Sequence, residues 1–205
     1  MSSFDGCNGI TELTIPDGVL IIYDYAFDNC INLRSVKSPE SLTKINSAFN
    51  GCTSLEHVEL PSEMEWVGGF SGCTSLKKIS LPKTGKLSSG AFRGCTALES
   101  VTVPSGTTSL NSTFEGCTSL KSVILPDTLT SISTSSFLNC TSLESITIPR
   151  SVTELRDGAF KNCSRLSAVN FAGTAEEWRS IFKATDWNQN CNFSSVHCSD
   201  GDATP

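Results

Sequence analysis

The chain has 205 residues, of which 15 are Lys or Arg and 21 are Asp or Glu, so its formal net charge at pH 7 is −6. Nucleic-acid binding is not expected, because the chain has no basic excess with which to neutralise phosphates. The sequence has neither an apolar run long enough for a transmembrane helix nor a basic and then apolar start typical of an export signal.

The cysteines show that the chain is built from one repeat. The first eight recur at steps of 21 to 23 residues, a Phe stands three positions before each of them, and Leu or Ile stands three positions after. A repeat of this length indicates a stack of similar units that share one core. The eight cysteines are Cys7, Cys30, Cys52, Cys73, Cys95, Cys117, Cys140 and Cys163.

Each repeat is predicted to contain two extended pieces. Positions six to eight after each Cys are mostly apolar, polar and apolar, and a Pro follows in seven of the eight repeats, as expected for a short strand that a Pro ends. A second apolar pair, such as Leu129 and Ile132, predicts another short extended piece before a tight helical or 3₁₀ turn. A unit of about 22 residues cannot bury its own apolar face, so the units should stack as a right-handed parallel solenoid.

The predicted fold is therefore a mainly-β repeat solenoid of about eight coils over residues 1–171. Residues 172–198 are expected to form a C-terminal cap, because Glu176 and Glu177 precede a helical spacing of apolar residues that begins at Trp178. Residues 199–205 are expected to be a linker or tail. No cap precedes Phe4, which predicts either a fragment of a longer protein or an exposed sheet edge.

The repeat resembles a known family. The phrase Cys-Thr-Ser-Leu-Glu-Ser-Ile-Thr-Ile-Pro at 140–149 and its counterparts over residues 4–171 are similar to the BspA-like leucine-rich repeats. The resemblance implies a right-handed leucine-rich repeat coil with short parallel strands. It also implies a protein-interaction module of bacterial or protozoan surface or secreted proteins, with adhesion to host extracellular-matrix proteins or to other microbes.

The repeated cysteines are expected to form a buried ladder. Stacked in register, neighbouring cysteines would lie about 4.8 Å apart with parallel side chains, which does not suit a disulfide, and they do not converge on one metal site. Cys191 and Cys198 lie outside the repeat, and a disulfide between them is an open alternative. We expect no metal and no cofactor. With two His residues and no catalytic motif, we also expect no enzymatic activity.

The predicted outer face of the strands carries a column of charges. Four positions after Cys, the sign alternates from one repeat to the next at Arg34, Glu56, Lys77, Glu99, Lys121 and Glu144. Opposite charges on adjacent strands attract weakly, so the column either helps to fix the register of the stack or is recognised by a partner.

This face supplies the candidate partner-binding residues. Trp66 belongs to the set as an aromatic contact, although it could equally pack in the second apolar column. Repeat three, the shortest, contains Gly68 and Gly69, so a bend or bulge is expected there. The candidates are Arg34, Lys37, Glu56, His57, Glu59, Lys77, Lys78, Glu99, Lys121, Glu144 and Trp66.

Three functional hypotheses follow from the sequence and the resemblance. The first is an adhesin-like binding domain at the cell surface or in a secreted protein, with a host matrix protein or a microbial surface protein as partner. The second is a structural spacer inside a longer surface protein. The third is a cytoplasmic interaction scaffold, favoured by the missing export signal and the eight unpaired cysteines.

Overall fold

A computed structural model describes residues 3–205, so Met1 and Ser2, at the start of the predicted solenoid, lie outside the described residues. The chain winds into successive coils, most of which contribute a short strand to each of two ribbons. In chain order the elements are β1 (Glu12–Thr14), β2 (Ile21–Ile22), β3 (Ser35–Lys37), β4 (Lys44–Ile45), β5 (His57–Glu59), β6 (Trp66–Val67), β7 (Lys86–Leu87), β8 (Ser100–Thr102), β9 (Ser109–Leu110), β10 (Ser122–Ile124), β11 (Ser131–Ile132), β12 (Ser145–Ile148), β13 (Glu154–Leu155), β14 (Ala168–Phe171), α1 (Ala175–Ser180), β15 (Phe182–Lys183), β16 (Val196–Cys198) and β17 (Gly201–Ala203).

The two ribbons run along the array as separate parallel sheets. The first ribbon comprises β1-β3-β5, β8-β10 and β12-β14-β16-β17, and the second comprises β2-β4-β6-β7 and β15-β13-β11-β9. Strand pairing is parallel except between β16 and β17. The prediction of a mainly-β solenoid with two extended pieces in a typical coil is confirmed.

The alternation of side chains determines which face of each first-ribbon strand is buried. In β5, Val58 is buried between exposed His57 and Glu59. Val58 is paired in register with Val36 of the preceding coil. Apolar residues of one column therefore stack on one another inside the solenoid, while the residues on either side face solvent.

A ladder of phenylalanine rings runs through the core. Consecutive rings stack with centroids 5.1–5.8 Å apart and with planes within 16° of parallel. The rings from Phe27 onward are buried, whereas Phe4 in the first coil is 53% exposed. The ladder consists of Phe4, Phe27, Phe49, Phe70, Phe92, Phe114, Phe137 and Phe160.

The predicted cysteine ladder lies beside these rings and is confirmed. From Cys30 onward, each ladder thiol donates a hydrogen bond to the backbone oxygen of the Phe in the preceding coil; for Cys52 and Phe27 O the distance is 3.2 Å. The same oxygen accepts the backbone N–H of Cys30 in its own coil at 3.4 Å. Across the described residues all ten cysteines are free, and burial raises the pKa of Cys52 and of Cys95 to about 12.

The residue before each ladder cysteine is Gly or Asn, and each has a left-handed backbone with φ between 56° and 75°. Gly adopts this conformation without strain and Asn tolerates it. Neighbouring Asn side chains also join the coils, since Asn162 Nδ2 donates to Asn139 Oδ1 at 2.8 Å and Asn190 Nδ2 donates to Asn162 Oδ1 at 2.7 Å.

Asn190 introduces a ninth rung, which the sequence analysis missed. Cys191 Sγ donates to Phe160 O at 3.0 Å, as the earlier cysteines do to their Phe residues. Cys198 lies in β16, where its Sγ is 3.7 Å from Val196 O. The Cys191–Cys198 disulfide is therefore wrong: Cys191 is engaged with the core of the preceding coil, and both thiols are free.

The C-terminal segment closes the array with the predicted helix and with an additional strand. Thr174 caps α1, and β16 continues the first ribbon parallel to β14. Within the predicted tail of residues 199–205 the structure differs from expectation, because β17 pairs antiparallel with β16 and Trp178 Nε1 donates to Thr204 O at 2.8 Å. The antiparallel strand and the buried indole hold this segment on the fold. The domain boundaries at 171 and 198 stay predictions.

The shortest repeat contains a close backbone approach and precedes a break in the first ribbon. A Cβ atom on Gly69 would lie 2.2 Å from Asn46 O, and Gly69 has φ +79°. In the next coil, residues 78–80 do not form the expected strand, so the prediction of one such strand in every repeat is wrong there. The break follows the 21-residue step between Cys52 and Cys73, one residue or more shorter than the other steps between the first eight cysteines.

The buried thiols predict a loss of stability in alkali. The ladder thiols from Cys30 to Cys140 have a pKa raised by burial, whereas in an unfolded chain they ionise near pH 8.5. The folded chain therefore retains protons that the unfolded chain loses. The free energy of unfolding should be at its full value below about pH 8.5 and should fall as the pH rises toward about 12.

Urea unfolding at a series of pH values measures this change, and alkylation in denaturant should count ten thiols. Under native conditions Cys191 should be alkylated before the buried rungs, because its thiol is partly exposed. A free energy of unfolding that stays constant from pH 8 to about 11 would contradict the buried ladder.

Replacement of Gly69 by Ala should destabilise the protein by about 2 kcal/mol or more, because the new Cβ collides with backbone and the residue has a positive φ. Gly9→Ala is the matched control, since nothing lies within 4 Å of a Cβ there. Chemical denaturation of both variants measures the difference. Equal denaturation midpoints for the two variants would contradict the close approach of Gly69 to the backbone of the preceding coil.

Candidate interaction surface

The outer side of the first ribbon forms one extended surface, which we call the strand face. It consists of the side chains four, five and seven positions after each repeated Cys, from Arg34 to Thr147. Ten of the eleven candidate residues lie on it, and all ten are exposed except Glu99, which is half-buried. The ten are Arg34, Lys37, Glu56, His57, Glu59, Lys77, Lys78, Glu99, Lys121 and Glu144.

Trp66 lies apart from the other candidates. It belongs to β6 in the second ribbon, the residue is 39% exposed, and Lys86 Nζ lies 5.6 Å from the centroid of its ring. The alternative that Trp66 packs in the second apolar column is wrong. In a two-residue strand only one side chain faces inward, and here it is Val67, in register with Ile45 and Leu87.

The alternating charge column forms few close pairs. In the part of the chain that the structure describes, Lys121 and Glu99 are its one pair from adjacent coils within 4.0 Å, with Nζ and Oε2 3.7 Å apart. Exposed pairs of this kind each contribute only a few tenths of a kcal/mol. The column therefore adds little to the register, which the buried Phe and Cys ladders already determine, and most of its charges remain available to solvent.

Charge is distributed unevenly along the solenoid. Residues 1–33 contain five acidic and no basic residues, whereas residues 66–98 contain five basic and no acidic residues. We call residues 66–98 the basic band; its charges are Lys77, Lys78, Lys83, Lys86 and Arg93. Arg93 pairs with Glu115 at 3.0 Å, while Lys77 and Lys78 make no ion pair with any described residue.

A shallow groove of about 540 Å³ lies where the basic band meets the break in the first ribbon. We call it the coil-four groove, and it is lined by Lys78–Leu81, Ser100–Thr102, Ser122 and Ile124. Its lining includes one basic side chain and no carboxylate. Lys78 is among the candidates predicted from the sequence, whereas Ile79 and Leu81 are not, because the repeat pattern places them in inward-facing columns.

Two classes of site have no counterpart among residues 3–205. No three side chains of His, Cys, Asp or Glu come together in a way that could hold a metal ion. Over the same residues, no helix has the length and apolar character needed to cross a membrane.

Stacked coils of about 22 residues, with short parallel strands and an inward Leu column, define the chain as a leucine-rich repeat protein. A family model described as BspA type leucine rich repeat region matches six copies, over residues 1–113 and 85–200. The chain belongs to the BspA-type leucine-rich repeat family, whose members are protein-interaction or structural repeat modules. No curated protein matches the chain.

Solved bacterial structures resemble the chain. A leucine-rich repeat protein from Eubacterium ventriosum is 31% identical with a TM-score of 0.65, over 74% of this chain and 42% of that one. The Treponema pallidum leucine-rich repeat protein is 27% identical with a TM-score of 0.55, over 78% of this chain and 68% of that one. A leucine-rich cell surface protein from Faecalibacterium prausnitzii shares the fold at 24% identity and a TM-score of 0.50, over 88% of this chain and 65% of that one. The match to the Eubacterium protein thus spans less than half of that protein's length.

Proposed function

We propose that the chain is a non-enzymatic protein–protein interaction module of a surface or secreted adhesin-like protein, with a host matrix protein or a microbial surface protein as partner. The observation that carries the proposal is the strand face, which presents ten exposed or half-exposed charged and polar candidates in register along successive coils. The proposed location and the class of partner rest on the family resemblance.

The composition of the strand face indicates how it would bind. Its lining is mostly Ser, Thr and charged residues, and Trp66 lies on the other ribbon. Trp, Tyr and Arg dominate the energetics of most interfaces, and Arg34 is the member of this group on the face. Binding by such a surface depends on many weak charged contacts distributed over several coils, and it should weaken as salt screens them.

Simultaneous replacement of Arg34, Lys77 and Lys121 by Ser should weaken binding to a matrix protein by about ten-fold, because three exposed charged contacts of about 0.5 kcal/mol each are lost. The measurement is surface plasmon resonance against a panel of purified matrix proteins. The control replaces Lys83, Arg165 and Arg179, which are exposed, lie outside the strand face and change the net charge equally. Undiminished binding by the first variant would show that the strand face does not bind the matrix protein. If the wild-type chain binds no member of the panel, the structural-spacer hypothesis is favoured.

Surface exposure can be measured independently of any partner. Brief protease treatment of intact source cells should release peptides of this chain, because the proposed module lies outside the envelope. Mass spectrometry of the supernatant detects these peptides, and an abundant cytosolic protein serves as the lysis control. Peptides that appear only after lysis would overturn the proposed location and favour an intracellular scaffold.

A further inference from the structure

We infer that the coil-four groove is a docking site for an extended, acidic segment of a partner protein. The inference rests on the proposed interaction function and names the position on the strand face and the chemistry that the face would recognise. Three features of the groove carry it: unused backbone hydrogen-bonding groups, accessible aliphatic side chains and positive charge that makes no ion pair with a described residue.

The backbone at the groove is not used in the ladder. The coils before and after it supply β5 and β8, but residues 78–81 pair with neither strand. No backbone N–H or C=O of Lys78–Leu81 is hydrogen-bonded to another backbone group of residues 3–205. Polar backbone groups require partners, and an extended peptide supplies alternating donors and acceptors at a matching spacing.

Aliphatic side chains are also accessible at the groove. Ile79 occupies the same column as Val58 and Val101, which are 8% and 5% exposed, yet Ile79 and Leu81 are only half-buried. Ile124 forms the far wall of the groove and is 64% exposed. Aliphatic residues from two different coils, with Ser and Thr among the same lining, suit an extended segment whose side chains alternate between apolar and polar.

The charge of the site selects acidic partners. Lys77 and Lys78 are exposed without a described ionic partner, and Glu99, the adjacent carboxylate in the next coil, already pairs with Lys121. The basic band lies within a chain of net charge −6. Acidic segments are therefore repelled by the acidic first coils, residues 1–33, and attracted to this band, which increases both the association rate and the specificity of docking.

A polyanionic glycan is the competing ligand, because it would also bind the lysines. It has no side chain to place against Ile124 or Leu81, so the aliphatic walls favour a peptide. The response of binding to the loss of Ile124 therefore separates the two classes of ligand.

The test uses the full chain and a fluorescently labelled peptide of alternating Glu and Val, with the matching Lys and Val peptide as the negative probe. Fluorescence anisotropy should show binding of the acidic peptide alone. Lys77→Ser with Lys78→Ser should weaken it about five-fold at low salt, and this difference should shrink at about 0.15 M salt. Ile124→Ser should weaken it about three-fold at both salt concentrations. The charge-matched control, Arg165→Ser with Arg179→Ser, should bind like the wild type.

The proposed docking site is overturned if the lysine pair can be replaced without loss of affinity for the acidic peptide. It is also overturned if a heparin oligosaccharide binds more tightly than the peptide and its binding is unaffected by Ile124→Ser. All three variants change exposed residues, and equal thermal midpoints verify the fold. If the variant at Arg34, Lys77 and Lys121 no longer binds a matrix protein that the wild type binds, but the acidic peptide does not bind the wild type, the proposed function stands and the proposed docking site is rejected. If the peptide binds as described but no matrix protein does, the groove stands and the adhesin-like function fails.

Discussion

The architecture depends on one backbone oxygen in each repeat. The carbonyl of each ladder Phe accepts the N–H of the Cys three residues later, and it also accepts the thiol of the Cys in the next coil. The first bond forms the turn and the second joins successive turns. A buried carbonyl with both lone pairs engaged fixes the rotation of each coil against the next, so the Phe rings stack with nearly parallel planes.

The regular part of this architecture follows from sequence because each structural role recurs at one offset from Cys. Periodicity therefore predicts the strands, the buried columns and the stacking. It fails where the period changes: the step from Cys163 to Cys191 is 28 residues, since α1 and β15 lengthen the coil, and the 22-residue period therefore places Cys191 in the predicted cap. The preceding Asn190 was the available signal, because an Asn or Gly in that position accompanies every earlier rung.

The face of the solenoid is less predictable than its core. A strand of two residues is too short for its side-chain alternation to show which residue points inward. The exposure of Trp66 follows only from the register of β6 with its neighbours β4 and β7. The loss of the strand at residues 78–80 likewise depends on how two neighbouring coils pack, and not on the sequence of residues 78–80 alone. The shortened repeat indicates the approximate place of an irregularity, but not which backbone groups it leaves unpaired.

The core tolerates this irregularity because its ladders are continuous across it. Phe70 stacks on Phe92 at 5.7 Å, and Cys95 Sγ donates to Phe70 O at 3.1 Å, although strand pairing in the first ribbon is interrupted between the same coils. In a solenoid each coil contacts mainly its neighbours, so a local loss of strand pairing reduces the stability of only the two adjoining interfaces between coils. Stability thus resides in buried columns that are the same in nearly every repeat, and the exposed positions of each coil are free to differ. The coil-four groove illustrates this difference between core and surface. Its charges and its unpaired backbone lie on the strand face, which contributes little to the packing of the Phe and Cys ladders.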